Sequence, residues 1–193
     1  MLRRTYDWMM GLAAHRNALA ALAAISFAEA SFFPIPADVM LIPMVIATRE
    51  KAWRIALVCT IASVVGGMFG YGIGSVLYET VGKWLIDLYG YTAQIEELRE
   101  VYKSAGFWIV MVGGLTPIPY KVVTIASGLA EMDFFTFTLG SVLSRGLRYF
   151  AVAGLLYFFG PPIRNWVERR MGLAATLFVV LLIGGFVLIK YLV

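Results

Sequence analysis

Two copies of a Pro-Ile-Pro sequence, each followed by one charged residue, constrain the fold of this chain more than any other feature. Segments 34–39 and 117–122 share four of their six residues, lie 83 residues apart and sit inside long apolar runs. The first carries the acid Asp38 and the second carries the base Lys121. Each proline removes a backbone donor from a helix and clashes with the preceding turn, at about 3 kcal/mol. The duplicated sequence therefore predicts helix breaks at Pro34, Pro36, Pro117 and Pro119.

Composition indicates that these breaks lie in a membrane. The chain has 193 residues, of which 61% are hydrophobic and 15% are charged. Soluble domains contain about 25% charged residues, so we predict an integral membrane protein. The basic residues flank apolar segments instead of forming one patch interleaved with aromatic residues, which predicts no nucleic-acid partner.

The first break lies in an apolar segment, residues 18–47, whose two arms are each shorter than the roughly 20 residues needed to cross a bilayer. The segment is either one broken crossing or a re-entrant hairpin that enters and leaves on the same side. Basic residues flank both arms: Arg3, Arg4 and Arg16 precede the segment, and Arg49, Lys51 and Arg54 follow it. Because basic flanks stay in the cytoplasm, this pattern favours the hairpin and a cytoplasmic N-terminus.

The second break lies in residues 106–130, which repeat the first segment with acidic flanks. Residues 79–104 form a polar, net acidic stretch before it, and Glu131 and Asp133 follow it. The same charge argument predicts that both ends of this second hairpin, and the segment 79–104, face the extracytoplasmic side. The two hairpins would then enter the membrane from opposite faces.

Simple apolar spans complete the predicted architecture. Residues 53–78 follow the first hairpin and residues 134–159 follow the second, and each segment is long enough to span the membrane. Pro161-Pro162 would end the second span, and residues 173–192 would form a final transmembrane helix. Residues 1–16 predict an amphipathic helix on the membrane surface. The predicted fold is an all-α integral membrane protein: an inverted repeat of hairpin plus span, with an N-terminal amphipathic and a C-terminal transmembrane helix. Such repeats with broken helices are typical of transporters.

Glycine spacing within the first span predicts close helix packing. Gly66, Gly70 and Gly74 recur every four residues, which lets a second helix approach closely. The same ridge would permit a homo-oligomer. The single cysteine, Cys59, lies in the same apolar run and is read as a buried packing residue.

Ionisable residues lie inside the predicted membrane segments, where each costs about 3 kcal/mol. Two accounts of them stay open and are compatible. In the first, the arginines pair with the acids and only hold the hairpins in place. In the second, the bases receive an anionic headgroup in a polar cavity while the acids take up or release protons. The residues are Glu29, Asp38, Lys121, Arg145 and Arg148.

The motif residues resemble those of a known family. The pattern Glu29-x4-Pro34-Ile35-Pro36-x-Asp38, followed by Gly114-x2-Pro117-x3-Lys121 and Gly128, is similar to the DedA family, also called the SNARE-associated or VTT-domain group. The amino-acid sequence around the first break resembles that of the YqaA-like branch of this family. The resemblance covers about residues 20–160.

The resemblance implies two facing re-entrant hairpins and translocation of a membrane lipid across the bacterial cytoplasmic membrane, with protons as the coupling ion. The implied lipids are a phospholipid or undecaprenyl phosphate. Glu29 and Asp38 match the membrane acids of the family, and Lys121 stands near its basic residue. Many relatives carry an arginine where this chain has Gly114, and Arg145 and Arg148 would supply that charge from the following span.

Other function classes are weighed against a lipid translocase or proton-coupled transporter. A serine–histidine enzyme is disfavoured because His15, the single histidine, lies on the predicted surface helix. The sequence contains no metal motif, and we expect no cofactor and no enzymatic activity. The alternatives are an envelope scaffold whose buried charges are structural and, less favoured, an intramembrane enzyme that uses Asp38 and Glu29.

Overall fold

The computed structural model describes residues 17–32, 36–82, 92–116 and 119–169, and these residues are almost entirely helical. The predicted segments 1–16 and 173–192 lie outside the described residues, as does 83–91. A 3-10 turn, Arg49–Lys51, precedes the third helix and a π-helical turn, Tyr78–Gly82, follows it. The helices are α1 (Ala18–Ser31), α2 (Asp38–Ala47), α3 (Ala52–Leu77), α4 (Thr92–Leu115), α5 (Tyr120–Leu129) and α6 (Phe134–Arg169).

Both Pro-Ile-Pro sequences interrupt helices. α1 ends before the first sequence and α2 begins after it, while α4 and α5 lie on either side of the second. The carbonyl of Pro36 accepts the N–H of Val39 at 3.2 Å, and the carbonyl of Pro119 accepts the N–H of Val122 at 2.9 Å. Each helix therefore restarts directly after its second proline. Pro34 and Pro117 lie outside the described residues.

Among the described residues, two helices are long and apolar enough to cross a membrane. They are Arg49–Thr80, which includes α3 and its flanking turns, and Phe134–Gly160 in α6. Their outward faces are apolar: Ile61 is 56% exposed and Leu147 is 58% exposed. Their inward faces bury polar groups such as Ser63 and Arg145. Apolar side chains outside and polar side chains inside are the distribution that a lipid surrounding favours.

α3 and α6 run in opposite directions through the centre of the molecule. Near the start of α3, the ring of Trp53 packs 5.8 Å from that of Tyr157. Near its end, the ring of Tyr71 packs 5.1 Å from that of Phe137, which lies in the first turn of α6. The two helices are therefore antiparallel.

The glycine face of α3 receives α1 and α5, both of which run in the same direction as α3. A Cβ at Gly66 would overlap the carbonyl of Phe27 in α1, and one at Gly74 would overlap the carbonyl of Ile125 in α5. Between them, a Cβ at Gly70 would overlap the hydroxyl of Thr124. The predicted close approach at these glycines is confirmed.

α2 and α4 pack on α6 and run in its direction. A Cβ at Gly140 would lie 3.1 Å from Val110 of α4, and further along, Gly114 of α4 faces Ser144. Asp38 at the start of α2 pairs with Arg148, and Arg49, two residues after the end of α2, donates to the carbonyl of Tyr157 further along α6. Each of the two long helices therefore contacts one of the two helices that flank each proline break.

Buried apolar side chains form two clusters, one toward each end of the bundle. The first joins α1, α2, the start of α3 and the middle of α6 and includes Tyr149. The second joins α4, α5 and the start of α6 and includes Tyr120. The guanidinium of Arg145 lies 4.8 Å from the ring centres of both tyrosines. Arg145 therefore lies between the two apolar clusters.

α4 is one helix that spans the predicted boundary between the polar segment 79–104 and the second hairpin, 106–130. The residues at that boundary are Ser104, Ala105 and Gly106. A single glycine costs only about 1 kcal/mol in a helix, and Gly106 packs against Met132. A change in polarity along the chain therefore did not mark a helix end.

α6 differs from the sequence prediction, because it continues through Pro161-Pro162 to Arg169; the prediction that these prolines end it is wrong. A proline at 161 cannot donate to the carbonyl of Tyr157 four residues earlier. Arg49, in the turn before α3, donates its Nη2 to that carbonyl and lies 5.4 Å from the ring centre of Tyr157. A donor from a distant part of the chain thus replaces the missing helix bond.

Candidate functional site

Arg145 lies at the centre of the site and is fully enclosed. Its side chain is 1% exposed. Nε donates to the hydroxyl of Ser63 at 2.7 Å, and Nη2 donates to the hydroxyl of Tyr149 at 2.5 Å. Nη2 also lies 3.4 Å from Oε2 of Glu29, and the ring of Tyr120 completes the enclosure. Protein groups therefore surround this cation on several sides.

Glu29 connects this arginine to the first helix break. Its Oε2 accepts the N–H of Ala37 at 3.0 Å, and the hydroxyl of Tyr149 lies 3.3 Å away. Ala37 occupies the N-cap position of α2, where backbone donors have no helical partner. The carboxylate near the end of α1 thus satisfies the N-terminus of α2 across the break.

Arg148, one turn further along α6, connects the two breaks to each other. Its Nη2 pairs with Oδ2 of Asp38 at 2.5 Å. Its Nη1 donates to the carbonyl of Thr116 at 3.3 Å. Asp38 begins α2, directly after the first break, and Thr116 follows the last residue of α4, directly before the second. The Arg148 side chain is 21% exposed, so it is more open than that of Arg145.

Asp38 has an unused acceptor. Its Oδ1 is buried and has no hydrogen-bond partner among the described residues. As the first residue of α2 it also lies at the positive end of the helix dipole, which favours a carboxylate. The Asp38–Arg148 pair is therefore held through one carboxylate oxygen only.

Tyr120 fixes the restart of the second broken segment. It is the first residue of α5, and its hydroxyl donates to Oγ of Ser141 at 2.5 Å. One turn later, the hydroxyl of Thr124 donates to the carbonyl of Ala30 at 3.1 Å. These bonds hold the start of α5 against both α6 and the end of α1.

Lys121 stands apart from the other predicted site residues. It lies two residues after Pro119 in the first turn of α5, and it forms no ion pair within the part of the chain that the structure describes. Two carboxylates face two arginines in the site, so Lys121 leaves one positive charge in excess. Four of the five predicted charged residues form pairs across the breaks, and the fifth does not.

Several site residues were missed by sequence reasoning. Tyr149 lies four residues after Arg145, on the same face of α6, and this spacing was a usable signal. Thr116 directly precedes a break and so exposes its carbonyl, which was a second signal. The other missed residues, Ser63, Tyr120 and Ser141, reach the site only through packing.

The arrangement suits binding of an oxyanion better than binding of a metal ion. A guanidinium presents paired N–H donors that match carboxylate or phosphate oxygens. Among the described residues, no group of three or more His, Cys, Asp or Glu side chains could hold a metal ion. The site offers instead Arg148, whose side chain is partly exposed and whose carboxylate partner engages it through one oxygen.

Comparison with known proteins identifies the family. The VTT domain matches residues 35–158, which include Asp38, Lys121 and both site arginines. An uncharacterized protein of Haemophilus influenzae is 36% identical over 96% of both chains. An uncharacterized protein of Histophilus somni is 37% identical over 80% of this chain and 81% of its own.

A more distant relative and the absence of a structural match complete the comparison. An uncharacterized protein of Methanocaldococcus jannaschii is 26% identical over 65% of this chain and 75% of its own. No solved structure matches the chain. The match to the VTT domain and the apolar surface of the two long helices agree with each other, and the chain belongs to the VTT-domain, or DedA, family of membrane proteins.

Proposed function

We propose that the protein is a lipid translocase or scramblase, or a proton-coupled transporter, of the bacterial cytoplasmic membrane. It would move the headgroup of a phospholipid or of undecaprenyl phosphate between two opposed re-entrant hairpins, without an enzymatic step and without a cofactor. Within the DedA family, the amino-acid sequence around the first break favours the YqaA-like branch. Homo-oligomer formation stays a prediction.

The observation that carries this proposal is the position of Arg148. One partly exposed guanidinium contacts Asp38 just after the first break and Thr116 just before the second. A group that binds phosphate well thus lies where two broken helices meet. Irregular backbone in a membrane survives only when it is buried in protein or lines a watery cavity, and transporters place their substrate sites at such breaks.

The helix directions support two hairpins. α1 runs with α3, α2 runs with α6, and α3 and α6 run in opposite directions. α1 and α2 therefore run in opposite directions, as the arms of a hairpin do. By the same reasoning α4, which runs with α6, and α5, which runs with α3, are the two arms of the second.

The same directions support an inverted repeat. In each half, the first arm runs with the long helix of its own half and the second arm runs with the long helix of the other half. The two long helices are antiparallel, so the halves have opposite orientations. Together with the basic flanks of residues 18–47 and the acidic flanks of 106–130, this supports hairpins that enter from opposite faces, with a cytoplasmic N-terminus.

A reconstituted assay tests the proposal. Purified protein in proteoliposomes is given fluorescent phospholipid or fluorescent polyprenyl phosphate, and the fraction reaching the other leaflet is measured over time, with and without a pH gradient. We expect Arg148→Gln to slow translocation at least about tenfold, which corresponds to 1.4 kcal/mol of lost stabilisation. Absence of translocation of both lipids by the wild type would contradict the proposal.

A matched control separates the site from general loss of charge. Arg99 pairs with Glu131 at 2.8 Å, is 19% exposed, and lies outside the site. Arg99→Gln therefore removes one similarly exposed arginine from one ion pair, and should leave translocation unchanged. Equal slowing by Arg99→Gln and Arg148→Gln would mean that the assay reports folding and not a site.

A scaffold is the second candidate, and the enclosure of Arg145 favours it. That arginine binds Ser63, Tyr149 and Glu29 and is almost inaccessible, as a purely structural charge would be. A scaffold predicts that Asp38→Asn, if folded, retains all function in cells, because an asparagine oxygen can still accept from Arg148. A translocase predicts loss of function in the same variant.

A further inference from the structure

The ion pair between Arg148 and Asp38 leaves part of both groups unused. A guanidinium has five N–H donors, and within the described residues this one bonds Oδ2 of Asp38 and the carbonyl of Thr116. Asp38 contributes one oxygen, since its Oδ1 has no partner there. A carboxylate that fully engages a guanidinium binds it through both oxygens. The observed contact therefore leaves room for a second oxyanion to compete.

The charge of the site favours an incoming anion. The Glu29–Arg145 and Asp38–Arg148 pairs are each neutral, and Lys121 adds one positive charge that no described acid neutralises. Lys121 is half-buried, and an unpaired charge at membrane depth is costly. One negative charge brought in by a ligand would balance the net positive charge of these five residues, whereas a cation would increase it.

The two arginines differ in how readily they can exchange partners. Arg145 is 1% exposed and its donors point to groups on three helices. Arg148 is 21% exposed and its Asp38 partner is 20% exposed. An exchange at Arg148 therefore requires the movement of one carboxylate, while an exchange at Arg145 would require the surrounding helices to separate.

We propose that the Arg148 guanidinium binds a phosphate oxyanion and that the carboxylate of Asp38 is the resident anion which this phosphate displaces. The inference rests on the proposed function and assigns Asp38 the role of an internal competitor. The phosphate could belong to a lipid headgroup or be free in solution. Because Asp38 begins α2, its release also removes the ion pair between the start of that helix and α6, and so weakens the attachment of the first hairpin to α6.

Binding measurements on the purified full-length protein in detergent test this role. The probes are farnesyl phosphate, farnesol as its uncharged counterpart, and inorganic phosphate as the headgroup without a chain. We expect farnesyl phosphate to bind and farnesol to bind far more weakly. Comparable binding of inorganic phosphate would assign the site to the free anion, and its absence would assign it to the lipid.

Two substitutions then distinguish a competitor from a ligand-binding residue. Asp38→Asn should lower the Kd for the phosphate probe about tenfold, because it removes a charge-assisted bond that the ligand must displace. Arg148→Gln should raise the Kd about tenfold or more, and Arg99→Gln should leave it unchanged. Unchanged or weaker binding by a folded Asp38→Asn variant would overturn the exchange, because Asp38 would then not compete.

The result is separable from the outcome of the translocation assay. Tighter binding by Asp38→Asn without any wild-type translocation would uphold the exchange and reject the lipid translocase. Wild-type translocation combined with weaker binding by Asp38→Asn would uphold the translocase and reject the exchange. Thermal stability of each variant, measured in the same detergent, keeps misfolding from being read as loss of binding.

Discussion

The two arginines of α6 stand one turn apart, and each pairs with an acid near the first helix break, yet their surroundings differ. Arg145 is enclosed by Ser63, Tyr149 and the ring of Tyr120. Within the described part of the chain, Arg148 bonds only Asp38 and a backbone carbonyl, and part of its side chain is accessible. The same residue type on one helix can thus serve as a structural charge and as a binding group. Satisfaction of the donors, not their position along the helix, separates the two.

The largest expected effect tests the structural half of this comparison. Arg145→Gln should destabilise the protein by about 3–5 kcal/mol, because it leaves the Glu29 carboxylate as an uncompensated buried charge. Thermal unfolding in detergent measures the loss. Arg148→Gln should unfold much closer to the wild type, since its site is partly open. Equal destabilisation by both variants would remove the distinction.

Helix packing on the glycine face of α3 is the next test, because this packing holds the breaks together. Gly66→Ala should destabilise by about 1–3 kcal/mol, since a Cβ there overlaps the backbone of Phe27. Gly72 is the matched control, as a Cβ at that position meets nothing within 4 Å. Gly72→Ala should be neutral or slightly stabilising, and parity between the two would contradict the described packing.

The contact between Arg49 and Tyr157 allows a rescue experiment. Arg49→Gln should destabilise by about 1–3 kcal/mol, because it leaves the carbonyl of Tyr157 without a donor. Pro161→Ala restores a backbone N–H that can bond that carbonyl, so the loss should shrink in the double variant. A double-mutant cycle of unfolding free energies gives the coupling. Strict additivity would show that Arg49 does not replace the missing helix bond.

The smallest expected effect lies outside the site, at the start of α6. Asp133 accepts the backbone N–H and the hydroxyl of Thr136, each at 2.7 Å, and the backbone bond first, then the hydroxyl, lowers the pKa of Asp133 below its ordinary value of 3.8. A lowered pKa gives stability that is present above 3.8 and lost as pH falls through the lower folded-state value. Unfolding scans across this acidic range should show a small decline, which Asp133→Asn, an uncharged cap, should flatten.

Much of this organisation could be predicted from local sequence rules. The prolines at 34, 36, 117 and 119 predict the interruptions, because a residue without an N–H cannot continue a helix at little cost. The length and apolarity of 53–78 and 134–159 predict two candidate spans. The spacing of Gly66, Gly70 and Gly74 predicts close packing. Each of these depends only on residues near one another in the chain.

The same local rules misjudged the end of α6. Pro161-Pro162 resembles a helix end as strongly as the earlier prolines, yet the helix continues because Arg49, more than a hundred residues away, supplies a donor. In α4, one helix continues where the polarity of the chain changes, because polarity follows the surroundings and not the backbone. Whether a proline ends a helix depends on which hydrogen-bond donors the fold places near the helix carbonyl that the proline leaves unpaired.

The sequence by itself determined that helices break at two Pro-Ile-Pro sequences and that five charged residues lie in apolar segments. It also determined that these charges need partners, because lipid does not solvate an unpaired charge. Only the tertiary structure decided the pairing. Arg145 joined Glu29, Arg148 joined Asp38 and Thr116, and Lys121 joined none of the described acids. The reason is physical: the need for a partner comes from burial, which composition reveals, whereas the choice of partner depends on distances between helices.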